Sequence, residues 1–162
     1  MIVVSDASPL IALSTIGELE ILRDLYSEII IPQAVNEEVV VLGAGRPGSD
    51  EILEADWIDV KSATDTAQYK NLNLGDGETE AIALAIELNA DLLILDEVRA
   101  RREAKALGVA FIGILGILVE AKSKQVIDEV KPILRKLRDE AGFRIGKSLF
   151  ERVLNSVSEL KG

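Results

Sequence analysis

Five short runs rich in β-branched residues recur along the chain: Ile2 to Val4, Ile29 to Ile31, Ile58 to Val60, Leu92 to Leu95 and Val109 to Ile112. The longer segments between them space their apolar residues at the period of helices. Strand and helix alternating in this way leave few architectures open. Each crossover helix carries the chain back to the start of the next strand, so neighbouring strands run parallel, and a parallel sheet needs helices on both faces. The expectation is a three-layer α/β/α domain around a five-stranded parallel sheet. An α/β core spans residues 1–113, followed by a helical C-terminal extension over 114–162. A chain of 162 residues is most simply one domain, burying about two-thirds of the surface its unfolded form exposes.

Local signals place the helix ends. Ser8-Pro9 reads as an N-cap followed by a first-turn proline, and Pro32 opens the next helix in the same way. Gly43 to Gly48 is the clearest loop, and the polar stretch Lys61 to Gly75 is a second irregular segment; both are candidates to border a substrate cleft. Gly108 stops a helix from Val98 to Leu107. Gly142 stops another from about Ile127 to Ala141.

Functional groups of an open parallel sheet collect beyond the carboxyl ends of its strands. Asp6 and Asp96 lie two residues and one residue past the first and fourth strands and can face one crevice. Two more acids stand out by helix wheel. In a helix from Gln33 to Leu42, Glu38 shares a face with Ala34, Val35 and Leu42, while Glu37 lies toward the polar side. In a helix from Gly77 to Leu88, Glu78 stacks with Ala81, Ile82 and Ala85, and Glu80 and Glu87 share the opposite, solvated face. Two carboxylates about 5 Å apart repel by about 3 kcal/mol at an effective dielectric of about 20, and burial adds desolvation. A cation relieves both costs. With no His and no Cys the ligands are all oxygen, which points to Mg²⁺ or Mn²⁺ rather than zinc, copper or iron–sulfur chemistry. Structural readings stand beside this one. Asp6 can cap the helix after it, and Glu78 can favour the positive N-terminus of its own helix, beside Asp76 as N-cap. Of Asp96 and Glu97, either can point to the crevice and either can begin the next helix.

The net charge of −10 opposes binding of nucleic acid except through local basic patches or metal. Arg99, Arg101 and Arg102 lie close to Asp96, and Arg46 sits in the glycine loop. All four are candidate phosphate contacts, although Arg99 also has Glu103 four residues on as a helix-face partner. The basic stretch Lys131 to Arg138 alternates with apolar residues and reads as the exterior of an amphipathic helix. Met1 leads into the first strand without a basic leader, and the longest apolar stretch, Val109 to Val119, is too short and glycine-broken to span a bilayer. The expectation is a soluble, cytoplasmic protein with no membrane partner.

The segments VSDASPLIAL, IPQAVNEEV, LGDGETEAIALAIELNADLLILDEVRARREA and GILGILVEAKSKQVIDEVKPILRKL together resemble the PIN-domain family, in particular its prokaryotic branch close to VapC-type toxins. The likeness runs over nearly the whole chain. It implies strand order 3-2-1-4-5 and a divalent-metal-dependent ribonuclease. Its metal-binding acids fall on Asp6, Glu38, Glu78 and the Asp96-Glu97 pair, with the small hydroxyl residue on Ser8. It further implies an RNA substrate, a small antitoxin partner, whose inserted segment the net charge of −10 predicts to be basic, and a homodimer with the apolar C-terminal helices as its candidate surface. Glu78 stands where toxin relatives more often carry aspartate, and Asp96-Glu97 replaces spaced acids.

Other phosphoryl-transfer folds fit less well. A receiver domain wants an aspartate ending strand three and a lysine ending strand five, but Val60 is followed by Lys61-Ser62 and Ile112 by Gly113. A haloacid-dehalogenase-type phosphatase wants Asp-x-Asp where this chain has Asp6-Ala7-Ser8. The remaining alternative is a non-catalytic PIN-like module that binds RNA or protein.

Overall fold

The computed structural model describes residues 1–160. Five parallel strands, β1 (Val3–Ser5), β2 (Ile29–Pro32), β3 (Ile58–Lys61), β4 (Leu92–Ile94) and β5 (Phe111–Ile112), form one sheet in the order β3-β2-β1-β4-β5. Each strand overlaps one of the five expected runs, although β1 is shifted on to Ser5 and β5 is confined to Phe111–Ile112; every pairing is parallel, with Val3 to Ser5 in register with Leu92 to Ile94. Alternate side chains of β1 go to opposite layers. Val3 packs with Leu10, Leu13, Ile114 and Leu134, and Val4 packs with Ile82, Leu93 and Ala100, because successive Cβ atoms of a strand point to opposite faces.

On the Val3 face lie α1 (Ala7–Thr15), α2 (Glu20–Tyr26), α7 (Ile114–Ser123), α8 (Lys131–Asp139) and α9 (Lys147–Ser156); on the Val4 face lie α5 (Asp76–Glu87) and α6 (Val98–Ala106). The chain is therefore the three-layer α/β/α domain expected. Between β2 and β3 run α3 (Gln33–Asn36), a π-helical turn at Glu37–Val41 and α4 (Ser49–Glu54), and a 3₁₀ turn at Ala67–Leu72 precedes α5. Among the described residues no helix is long and apolar enough to cross a membrane.

Several helix ends differ from expectation. Asp6, not Ser8, occupies the N-cap of α1, which puts Ser8 and Pro9 inside the first turn; Pro32 is itself the cap of α3, and Gly75 rather than Asp76 caps α5. Glycine does stop α6 and α8 as expected. Gly108 at φ +76° and Gly142 at φ +66° adopt the left-handed conformation that a side chain disfavours. α8 begins only at Lys131, where Glu159 accepts from the Val130 and Lys131 N–H groups and from Lys122 Nζ at 2.7–2.8 Å. The helical extension expected over 114–162 is three helices broken at 124–130 and 140–146, the last ending at Ser156; Lys161 and Gly162 lie outside the described residues.

Candidate functional site

At the carboxyl ends of β1 and β4 the sheet opens into a crevice of about 320 Å³. Asp6, Glu38, Glu78, Asp96 and Glu97 line it together with Ser8. The fold thus brings all five acids and the hydroxyl residue singled out from the sequence to one place. Larger cavities exist, such as one of about 520 Å³ bordered by the Lys61 to Gly75 segment, but none gathers these carboxylates. The Gly43 to Gly48 loop, with exposed Arg46, does not line the crevice.

Each acid is placed by a different local device. Asp6 leaves β1 with its N–H donated to the Ile94 carbonyl at 3.0 Å, which ties the first carboxylate to the end of β4. Although Asp6 sits at the N-cap of α1, its side chain makes no capping hydrogen bond, so it is not spent as a cap. Burial lifts the Asp6 carboxyl to about 7; the Ala7 N–H partly opposes this, and the charges of Glu78, Glu38 and Asp96 add to it.

Glu38 reaches the crevice by a route that a regular helix does not offer. Leu42 N donates to the Glu37 carbonyl five residues back, the π pattern, and the inserted residue rotates the following face. Leu42, expected on the same face as Glu38, is 75% exposed instead. Glu38 is itself exposed, so it is an arm at the crevice edge rather than a buried acid. The run Val39-Val40-Val41 is the only sequence trace of this irregularity, since β-branched residues fit a regular helix poorly.

Glu78, in the first turn of α5, is half-buried. Its carboxyl is raised by burial and by the Glu97 charge, partly opposed by the Gly75 N–H, and raised further by a hydrogen bond to Glu97 and by the Glu38 charge. Glu97 goes the other way. Burial pushes it up, but the Ala100 and Arg99 N–H groups, the bond to Glu78 and the Arg99 cation hold it below its ordinary range. The two neighbouring carboxyls are thus shifted in opposite directions. Glu97 caps α6, accepting from Ala100 N at 2.8 Å, which leaves Asp96 to face the crevice.

Asp96 has one engaged and one unpartnered carboxylate oxygen. Its Oδ1 accepts from Arg101 Nη2 at 3.0 Å and from Ile114 N at 3.1 Å, while Oδ2 is buried with no partner. Burial raises this carboxyl in spite of the Ile114 N–H and Arg101. Buried polar atoms are nearly always bonded, so an orphaned carboxylate oxygen in a crevice lined by four other acids fits a hard cation. All donors are oxygen, as magnesium and manganese prefer. Among the described residues no three acids are close enough to share one ion as they stand; for a shell to form, the exposed Glu38 and half-buried Glu78 arms would have to turn inward.

Two features of the site escaped the sequence. Arg101, expected at the phosphate surface, is engaged in the fold: Nε donates to the Leu95 carbonyl at 2.7 Å, Nη2 holds Asp96, and the guanidinium lies 5.7 Å from the Phe111 ring centroid. It positions Asp96. Arg99 and Arg102 remain exposed, and no ion pair joins Arg99 to Glu103 among the described residues. Gly77 and Gly113 supply room. A Cβ on Gly77 would touch Asp6 Oδ1 at 3.5 Å and Glu38 Oε1 at 3.6 Å, and one on Gly113 would lie 2.5 Å from Asp96 Oδ1 and overlap Arg101.

Glu80, read as a solvated residue, is half-buried. It accepts from Ala34 N at 2.7 Å and Ala63 N at 3.2 Å, joining the start of α3 to the segment after β3.

A family model for the PIN domain matches residues 2–159. This chain is a PIN-domain protein. The PIN domain is in general a metal-dependent nuclease fold, in keeping with the acidic crevice. A PilT N-terminus domain protein from the hyperthermophilic archaeon Sulfolobus solfataricus P2 is similar in structure, with TM-score 0.56 and 25% identity over 75% of this chain and 93% of that one. No curated protein matches.

Proposed function

We propose that this PIN-domain protein is a divalent-metal-dependent endoribonuclease that hydrolyses phosphodiester bonds of single-stranded RNA, acting as the toxin of a toxin–antitoxin pair. The observation that carries the nuclease reading is the set of five acids around one crevice, with Asp6 buried and uncapped and Asp96 Oδ2 unpaired. Asp6, Glu38, Glu78 and Asp96 would hold Mg²⁺ or Mn²⁺, whose chemistry is to activate a water and neutralise charge on the phosphate. Glu97 lines the crevice beside Glu78 and raises its carboxyl by its charge, and Arg101 orients Asp96. The Ser8 hydroxyl, in the first turn of α1, can donate to a phosphate oxygen. Arg99 and Arg102 on α6, and Arg46 farther out, are the cations open to flanking phosphates.

The antitoxin reading has its own support. Val41, Leu42 and Leu53 are 53%, 75% and 70% exposed on the π turn and α4, the segment that also carries Glu38. A partner strand or helix covering these residues can place a basic side chain in the acidic crevice, where arginine–carboxylate pairing is strong. The homodimer remains part of this proposal, and the protein would act in the cytoplasm on cellular RNA.

Purified protein should cut unstructured RNA in Mn²⁺ or Mg²⁺ and stop in chelator. Cutting that persists in chelator would remove the metal-dependent reading. A second reading, a non-catalytic module binding RNA or protein, is favoured by one observation: Arg101 already occupies one oxygen of Asp96. Binding without cleavage across varied RNA sequences in Mn²⁺ would select it.

A further inference from the structure

The cations of this acidic chain are not spread evenly. Residues 131–152 hold seven of the 18 Lys and Arg residues and three of the 28 acids, a local excess of +4 in a chain of −10. A cavity of about 430 Å³ lies among these residues, lined by Lys131, Arg135 and Arg138 of α8 and by Lys147, Phe150 and Glu151 of α9. The Arg138 guanidinium stands 5.2 Å from the Phe150 ring centroid and shares its charge with Asp139 through bonds of 2.9 and 3.3 Å. Lys131, Arg135 and Lys147 form no ion pair among the described residues.

We propose that this α8–α9 cavity is a docking site for single-stranded RNA, separate from the acidic crevice. Backbone phosphates would meet Lys131, Arg135, Arg138 and Lys147, and a base would stack on the Arg138–Phe150 pair. The combination decides the ligand class. Unpaired cations favour a polyanion, and a flat guanidinium–aromatic platform favours unpaired bases, which expose their π faces as duplexes do not. An acidic peptide would satisfy the charge and leave the platform unused. A second copy of the chain meeting this face symmetrically would set +4 against +4. Glu151 is the one acid among the lining residues and is outnumbered there by four cations. The site also resolves a conflict in the proposed function, since RNA must be held against a net charge of −10. The inference rests on that reading only for the identity of the polyanion.

The experiment measures binding of a fluorescein-labelled 12-nucleotide oligouridylate to the full chain in chelator, where cleavage does not intervene. With four phosphates neutralised, raising monovalent salt from about 50 to about 200 mM should weaken binding roughly 50-fold. The double variant Arg135→Ala/Lys147→Ala, both positions exposed, should keep the wild-type melting temperature, bind at least about tenfold more weakly and show about half the salt dependence. Phe150→Leu should weaken binding several-fold with the salt dependence unchanged, and Arg23→Ala on α2 should change nothing. Asp6→Asn should still bind, which separates docking from cleavage: a wild-type chain that binds in chelator but never cuts overturns the nuclease reading and leaves the dock standing. The dock is overturned by absence of binding at low salt, or by wild-type binding in the double variant. It is equally overturned if oligoglutamate of equal charge competes as well as RNA, or if the double variant dissociates a dimer of the wild-type chain.

Discussion

The Asp6→Asn variant, stripped of divalent ions, is expected to melt above the wild-type chain at pH 8 and to cut RNA roughly 10³-fold more slowly when metal is restored. Both effects have one origin. The Asp6 carboxyl is lifted from 3.8 to about 7, first by burial and then by neighbouring acids. Between these values the folded chain holds a proton that the unfolded chain has released. The associated stability is fully present below pH 4 and is lost as pH rises through 7, by about 4 kcal/mol from the size of the shift. Asparagine cannot ionise and should recover about 2 to 4 kcal/mol at pH 8, or roughly 5 to 15 °C in melting temperature for a domain of this size. Melting curves of the two proteins should therefore converge near pH 4 and diverge by pH 8. The kinetic loss would follow because a carboxylate ligand contributes several kcal/mol of transition-state stabilisation through a metal, the role proposed for Asp6. A variant that melts lower at pH 8 would show that Asp6 serves the fold.

Glu80→Gln should behave in the opposite sense, costing about 2 kcal/mol. Glu80 receives two backbone N–H groups, from Ala34 and Ala63, and such charge-assisted bonds are stronger than neutral ones. Glutamine keeps one oxygen and turns an NH₂ toward the second donor, leaving it unpaired. A chemical melt in chelator should show a lower midpoint with unchanged slope, and the metal response should survive because Glu80 does not line the crevice. Wild-type stability in this variant would mean that the link between α3 and the segment after β3 adds nothing.

Glu80 also marks where sequence reasoning reached its limit. Alternating β-branched and helical segments were sufficient for the five strands and the layers, because each strand must bury both faces whatever its neighbours are. Asp6 and Asp96 were legible for a related reason: an acid directly after an apolar parallel strand has only the crevice to occupy. Helix wheels did less well. They brought Glu38 to the right place through a regular helix that is interrupted by a π turn, and they set Glu80 in solvent when two distant N–H groups, on segments far away in the chain, hold it. The Arg101–Asp96 pair was hidden likewise, since Arg101 read as surface charge until β5 and Phe111 were placed beside it. Among the five crevice acids only Asp6 is buried. A metal-free cluster of like charges is more stable with its longer arms swung outward.

Thermal melting of the wild-type, Glu38→Gln and Glu78→Gln proteins with and without Mn²⁺ tests the central claim, that these acids hold one metal centre. Saturation at 100 times the dissociation constant stabilises a folded state by about 2.7 kcal/mol, which should raise the wild-type melting temperature by roughly 5 to 10 °C. Monovalent salt of equal ionic strength should give far less. In Glu38→Gln and Glu78→Gln the metal-free melting temperature should equal or exceed that of wild type and most of the Mn²⁺ shift should vanish, while Glu54→Gln on exposed α4 keeps it. A full Mn²⁺ shift in both crevice variants, with lowered metal-free stability, would contradict the account and make Glu38 and Glu78 structural acids.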